Sequence, residues 1–210
     1  MRIDLHAHTA PRSNCSRTTL DELVATARLR GLDALCITEH DVRWPDDELA
    51  DASRLLDFPL IPGVELTTDV GHVLAFGPLR KPLWMGYTLA ELVEECEQSD
   101  TALVLPHPLR RFAGERAIKG GRTPPTAAEI VALPQWEMVH AIEAASTQTT
   151  ELEHTLTAAA LVARPRPAVG ASDAHGPGLA GAFATDIDRV VHSAVDLARE
   201  IRAGHVRPSL

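Results

Sequence analysis

The chain has 210 residues, 45% of them hydrophobic, enough to bury one substantial core, so a single domain spanning 1–210 is expected. Lys plus Arg number 20 against 29 for Asp plus Glu, and the formal charge of −9 has the wrong sign for gripping long nucleic acid; small substrates fit better. The N-terminus has no long apolar region, no run approaches the roughly 20 apolar residues of a membrane span, and Cys15, Cys36 and Cys96 form neither a disulfide framework nor a Cys-x-x-Cys zinc knuckle. A cytoplasmic protein without a membrane partner is expected.

Residues 3–7 have the apolar content of a short buried strand. A strand repeats its side-chain direction every two residues, so His6 and His8 leave it on one face and make half a metal site. A polar turn follows at 10–17. Thr18 or Thr19 can cap a helix in which Leu20, Leu23, Val24, Ala27 and Leu32 recur at three- and four-residue steps, ending at Gly31. Residues 34–38 read as a buried strand opening onto Glu39-His40-Asp41. A weaker amphipathic helix at 46–56 precedes a third strand, which starts at 59–63 and leads to Glu65. A short strand at 72–77 begins on His72, and Thr88 can cap a helix striped by Leu89, Leu92, Val93 and Cys96. The strand at 101–105 ends at Pro106-His107-Pro108.

Residues 110–125 have no period and hold Arg110, Arg111, Arg116, Lys119 and Arg122 against one acid, Glu115; Gly120-Gly121 and Pro124-Pro125 mark a loop. A short helix at 126–133, a strand at 139–144 carrying Glu143 and an Ala-rich helix at 151–163 come next. A buried strand at 167–171 precedes Asp173 and His175. Residues 188–191 read as a last short strand, 194–203 as a closing helix, and everything from Gly204 as a tail.

Strands alternating with helices call for a parallel sheet with right-handed crossovers, and about seven such units point to a closed α/β barrel with its chemistry at the C-terminal strand ends. An open doubly wound sheet is the alternative, but no Gly-x-Gly-x-x-Gly follows the first strand. The candidate ligands sit at or just past strand ends, except His72, which would reach the rim from a hairpin.

The ordered motifs Asp4-Leu5-His6-Ala7-His8-Thr9, Thr38-Glu39-His40-Asp41, Pro62-Gly63-Val64-Glu65, Gly71-His72-Val73-Leu74, Pro106-His107-Pro108 and Ser172-Asp173-Ala174-His175 resemble those of the PHP superfamily, named for polymerases and histidinol phosphatases. The likeness runs from residue 2 to about residue 185. It implies a distorted (β/α)7 barrel carrying two or three divalent metal ions, Zn, Mn or Fe. It further implies that His6, His8, Glu65 and Asp173 hold one metal and that Glu65 bridges to a second held by His72 and His107. A third would use His40 and His175 with an acid or histidine from the turn after His8. There the sequence departs from the family: Arg12-Ser13-Asn14-Cys15-Ser16 replaces the usual Ser-Asp-Gly. Asn14 is a poor substitute for the carboxylate. Cys15 is a good zinc ligand but unusual in this family, and occupancy of the third position stays open.

Two divalent cations bring +4, and Glu65 with Asp173 returns −2, leaving a site of about +2 that favours an anion. A water shared by two metals loses its proton near neutral pH, and the metals also steady the oxygens of a phosphoryl group during in-line displacement. Phosphoester hydrolysis uses all of this, so the expected function is a phosphatase or phosphodiesterase for a small phosphorylated metabolite or nucleotide. Arg110 and Arg111 follow the His107 turn, where a guanidinium fork matches phosphate. Without a third metal, His40 or His175 could be the general acid on the leaving oxygen, beside the bridging Glu65. Asp4 and Glu39 are expected to orient neighbouring ligands. Glu143 could line the pocket or make a buried hydrogen bond, and His140, His154, His192 and His205 read as structural or surface residues. Two other functions compete: a metal-dependent amide or lactone hydrolase, and a non-catalytic or nuclease-type module working with a polymerase. Oligomeric state stays open.

Overall fold

The computed structural model describes residues 1–209. In chain order it contains β1 (Arg2–Asp4), α1 (Leu20–Leu29), β2 (Ala34–Ile37), α2 (Asp46–Leu55), β3 (Leu60–Thr68), β4 (Gly71–Phe76), α3 (Leu89–Glu97), β5 (Ala102–Leu105), α4 (Arg110–Ala113) and α5 (Glu115–Lys119). There follow α6 (Ala127–Val131), α7 (Pro134–Met138), β6 (Ala141–Ala145), α8 (Glu151–Ala163), β7 (Ala168–Gly170), β8 (Ala184–Ile187), α9 (Ala194–Arg202) and β9 (Val206–Ser209). One sheet runs β7-β6-β5-β4-β3-β2-β1-β8-β9 and curls into a distorted, nearly closed barrel.

Parallel pairing holds for β1–β2–β3 and for β5–β6–β7, as helix-bearing crossovers require. β8 is antiparallel to both of its neighbours, β1 and β9, and so is β4, between β3 and β5. β4 returns from β3 through a two-residue turn after Thr68, and the register sets Glu65 opposite Leu74 and Thr67 opposite His72. Glu65 and His72 are therefore diagonal neighbours on one face of the hairpin. At the rim the barrel closes through a parallel bridge between Ala7 and Ala174, where the His8 N–H donates to the Ala174 carbonyl (3.1 Å).

Apolar side chains explain why the sheet curls. Ile3, Cys36, Ile61, Phe76, Val104 and Val169 share a buried cluster with Leu197, Ala198 and Ile201 of α9, so this last helix covers the end of the barrel opposite the histidines. A second cluster packs α3 and α6–α8 on the outer face of β3–β6, and a third packs α1 and α2 beside β2. Gly63 lets the hairpin approach β2: a Cβ there would lie 2.7 Å from the Phe76 ring and 2.9 Å from Thr38 Cγ2.

Three expectations change. Residues 110–125 are not a continuous loop, because two one-turn helices, α4 and α5, occupy 110–119; turns that short carry no readable period. The last strand pair comprises β8 at 184–187, not 188–191, and β9 in the expected tail, where Ile187 meets Val206. An unforeseen turn, α7, starts on Pro134, whose fixed φ suits a helix start. Among the described residues no helix is long and apolar enough to cross a membrane.

Candidate metal centre

The side chains at the rim are placed by bonds to the backbone of the turns that carry them. Asp4 accepts from the backbone N–H of Ser172 (2.9 Å), Gly181 (2.7 Å) and His6 (3.2 Å), tying the segment after β7 to the segment after β1. Glu39 accepts from the Thr9 N–H (3.1 Å), the Ser13 hydroxyl and the Trp44 indole (3.1 Å), fixing the turn after His8. Both acids hold ligand-bearing backbone and make no hydrogen bond to an imidazole. His107 (φ 31°) and Asp173 (φ 51°) occupy the left-handed region that non-glycine residues avoid, a cost tolerated where surrounding bonds hold a functional geometry.

All eight expected ligands face one another across this rim. Glu65 Oε2 lies 3.3 Å from His6 Nε2, 3.2 Å from His8 Nε2 and 3.0 Å from His40 Nδ1. Its Oε1 lies 2.8 Å from His72 Nδ1 and 3.1 Å from His107 Nε2. Asp173 Oδ1 sits 3.3 Å from His6 Nε2 and 3.4 Å from His8 Nε2, whereas His175 Nδ1 donates to the Asp173 backbone carbonyl (2.9 Å) and so is not one of these facing donors. Two donors about 2.1 Å from a shared tetrahedral ion stand about 3.4 Å apart, so these spacings fit a cation between them.

Hydrogen bonding points the same way. His6 Nε2, His8 Nε2, Glu65 Oε2, His72 Nδ1 and Asp173 Oδ1 are all buried without a hydrogen-bond partner. Leaving one such group unpaired costs about 1–3 kcal/mol, and five in one place need a common partner. A divalent cation suits these donors, since neutral imidazole and carboxylate ligate Zn, Mn and Fe. Four sets fit the role: His6, His8 and Glu65; His6, His107 and Asp173; His40, Glu65 and His72; and His8, Cys15, His40 and His175.

Burial alone would raise the Glu65 and Asp173 carboxyls, but neighbouring imidazoles, His6 foremost, hold both well below the carboxylate range. Burial pulls His6 down, yet Asp173 and Glu65 outweigh it and raise His6 well above the ordinary value. His40 differs: burial, reinforced by His8, His72 and His6, lowers it to about 4 against the pull of Glu65. His175 is also lowered, by burial and then by His8. Both outer imidazoles are therefore held neutral at neutral pH, the state that ligates metal or accepts a proton.

Arg110 Nη2 donates to Asp173 Oδ2 (2.7 Å), so this guanidinium reaches the cluster itself. Arg111 Nη1 instead donates to the Asp69 carbonyl (2.9 Å) at the mouth. Arg110 borders two clefts: one of about 160 Å³ with Thr67, His72, His107 and Arg111, and one of about 600 Å³ with Arg116, Thr149, Asp173 and His175. Glu143, left open between pocket lining and a buried bond, makes the bond: it holds His6 Nδ1 at 3.0 Å and accepts the His107 N–H at 3.0 Å. Its place at a strand end beside two candidate ligands was the available signal. Away from the rim, His140 accepts from Leu103 N–H, His154 pairs with Thr149 and His205 pairs with Glu200.

A family model described as PHP-associated matches residues 154–206. A two-domain protein from Bacteroides vulgatus, containing a predicted PHP-like metal-dependent phosphoesterase, superposes with a TM-score of 0.65 at 20% identity, over 100% of this chain and 64% of that one. A Bifidobacterium adolescentis protein named for a metal-dependent phosphoesterase gives 0.59 at 17% identity, over 98% of this chain and 96% of that one. An amidohydrolase from Chromobacterium violaceum with bound sulfate and no metal gives 0.64 at 17% identity, over 98% and 97%. At these identities the structural likeness shows a shared fold. No curated protein matches the sequence.

Proposed function

We propose that this chain is a metal-dependent phosphoesterase of the PHP type, a reading supported by the fold it shares with PHP-like proteins and by the PHP-associated model that matches residues 154–206. Its substrate is a small phosphorylated metabolite or nucleotide, cleaved as a monoester or diester. The observation that carries this reading is the set of buried, unpartnered donors gathered around Glu65, with two arginines on the same rim. Divalent cations held by His6, His8, Glu65 and Asp173 on one side, and by Glu65, His72 and His107 on the other, would supply Lewis acidity and a water acidic enough to attack near pH 7.

The chain's own residues do the rest. Glu65 offers one carboxylate oxygen to each side and so fixes the spacing of the two halves. Asp173 holds Arg110 beside the cluster, from where its remaining N–H groups can donate to phosphoryl oxygens. Arg111 bounds the small cleft and would orient the rest of an anionic substrate. His40 and His175, held neutral, are better suited to ligation or proton acceptance than to proton donation.

A second reading, hydrolysis of an amide or lactone, draws on the name of the Chromobacterium violaceum neighbour. The site favours it less, because Glu65 stands where a bridging carboxylate would and both lysines, Lys81 and Lys119, are exposed, Lys119 pairing with Glu115. Assays of the purified protein with added Mn²⁺ or Zn²⁺ separate the readings. We expect phosphate release from mononucleotides or sugar phosphates. Turnover of amides or lactones alone would transfer the assignment to the second reading. No turnover with any metal would favour a non-catalytic module.

A further inference from the structure

We propose that Cys15 takes the place of the missing carboxylate at the outer cation position that the family likeness assigns to His40 and His175, and that its thiolate makes this position select zinc over manganese or magnesium. It rests on the reading that the neighbouring cluster holds divalent cations. The Cys15 sulfur and ring nitrogens of His8, His40 and His175 all lie within 4.8 Å of one another. The fully buried His8 ring stands between the outer two, with ring centroids 4.6 Å from His40 and 4.3 Å from His175. His8 Nε2 already faces Glu65 and Asp173, so the outer set comprises one thiol and two imidazoles. His175 Nδ1 donates to the Asp173 carbonyl (2.9 Å), which leaves its Nε2 lone pair free.

The turn holding Cys15 is fixed on both sides. Ser13 bonds Glu39, Ser16 Oγ donates to the His8 carbonyl (2.8 Å), and Arg17 N–H donates to the His175 carbonyl (3.1 Å). Residues 10–18 contain no Asp or Glu, so Cys15 is the turn's one source of an anionic donor. Donors around a tetrahedral zinc ion stand about 3.6 Å apart for a sulfur and a nitrogen, and the exposed Cys15 side chain is free to adjust to that spacing. The thiol gives its proton to solvent as the metal–sulfur bond forms. Thiolate favours zinc, whereas manganese and magnesium favour oxygen donors. Three protein ligands would leave a fourth position for an exchangeable one, and His175 borders the larger cleft.

Titrating the metal-free protein with Co²⁺ tests this without reference to activity. We expect a near-ultraviolet thiolate-to-cobalt charge-transfer band that Cys15→Ser abolishes, while visible ligand-field bands from the inner donors remain in both proteins. Cys36 and Cys96 are buried elsewhere and cannot contribute the band. Zn²⁺, but not Mn²⁺, should also slow alkylation of Cys15 by iodoacetamide about tenfold or more. Ligand-field bands without the charge-transfer band, or a band that survives Cys15→Ser, would overturn the Cys15 position alone. No cobalt spectrum at all would overturn it together with the metal reading beneath it.

Discussion

Glu143 shows how a residue that faces no candidate cation position can govern the centre. It holds Nδ1 of His6 and the backbone N–H of His107, and so fixes the ring that turns Nε2 toward Glu65 and Asp173. Removing such a partner typically weakens metal binding 10–100-fold. Glu143→Gln keeps the shape and the bond to His107 but loses the charge behind His6. Calorimetric titration of the metal-free protein with Zn²⁺ should show affinity lower by about that factor; an unchanged affinity would remove Glu143 from the account. His40 makes a pH prediction of definite sign. Its folded value is about 4 against 6.5 in the unfolded chain, so between those pH values the unfolded state binds the proton that the fold refuses. In that window stability rises with pH, and the metal-free protein loses this contribution as pH falls from 6.5 toward 4. Urea unfolding of His40→Gln should therefore show relative stabilisation between pH 7 and pH 5, whereas a constant offset from wild type would contradict it.

At the scale of elements, the β3–β4 hairpin carries Glu65 and His72 and depends on Gly63. An added methyl at 2.7 Å from Phe76 and 2.9 Å from Thr38 must push the hairpin away from β2. Overpacking of this kind costs about 1–3 kcal/mol, and we expect Gly63→Ala to lower Tm by several degrees. Thermal melting within about a degree of wild type would show that the site relaxes freely. These elements also show what the sequence makes legible. Thr19, Thr88, Thr126 and Thr150 each close a capping box with a glutamate three residues on, so four helix starts are written locally. His6 and His8 do turn to one side, both facing Glu65, although the strand expected over 3–7 ends at Asp4 and only the Ala7 bridge continues its pairing. Short turns such as α4, α5 and α7 have too few residues for a period to emerge. The β9 strand, Val-Arg-Pro-Ser, carries no strand pattern and exists because β8 offers it an edge.

Across the whole molecule, the barrel converts order along the chain into proximity in space. Six segments separated by as many as 169 positions, from His6 to His175, deliver their side chains to one rim, and the Ala7–Ala174 bridge locks the first to the last. The gathering of these histidines and acids at one rim is readable from sequence because parallel barrels bring strand ends together. The bond from Arg110 to Asp173, the dual grip of Glu143 and the backbone role of Asp4 and Glu39 were not, since each pairs residues that only the closed sheet brings together. The proposal depends on Glu65 standing between two cation positions. Elemental analysis of wild type and Glu65→Gln, purified alike and loaded with Mn²⁺ or Zn²⁺, measures that directly, with phosphate release followed in parallel. We predict at least two metal equivalents and hydrolysis in the wild type, and in the variant a loss of most of the metal together with the activity. A variant that keeps its full metal content and its rate would contradict the account.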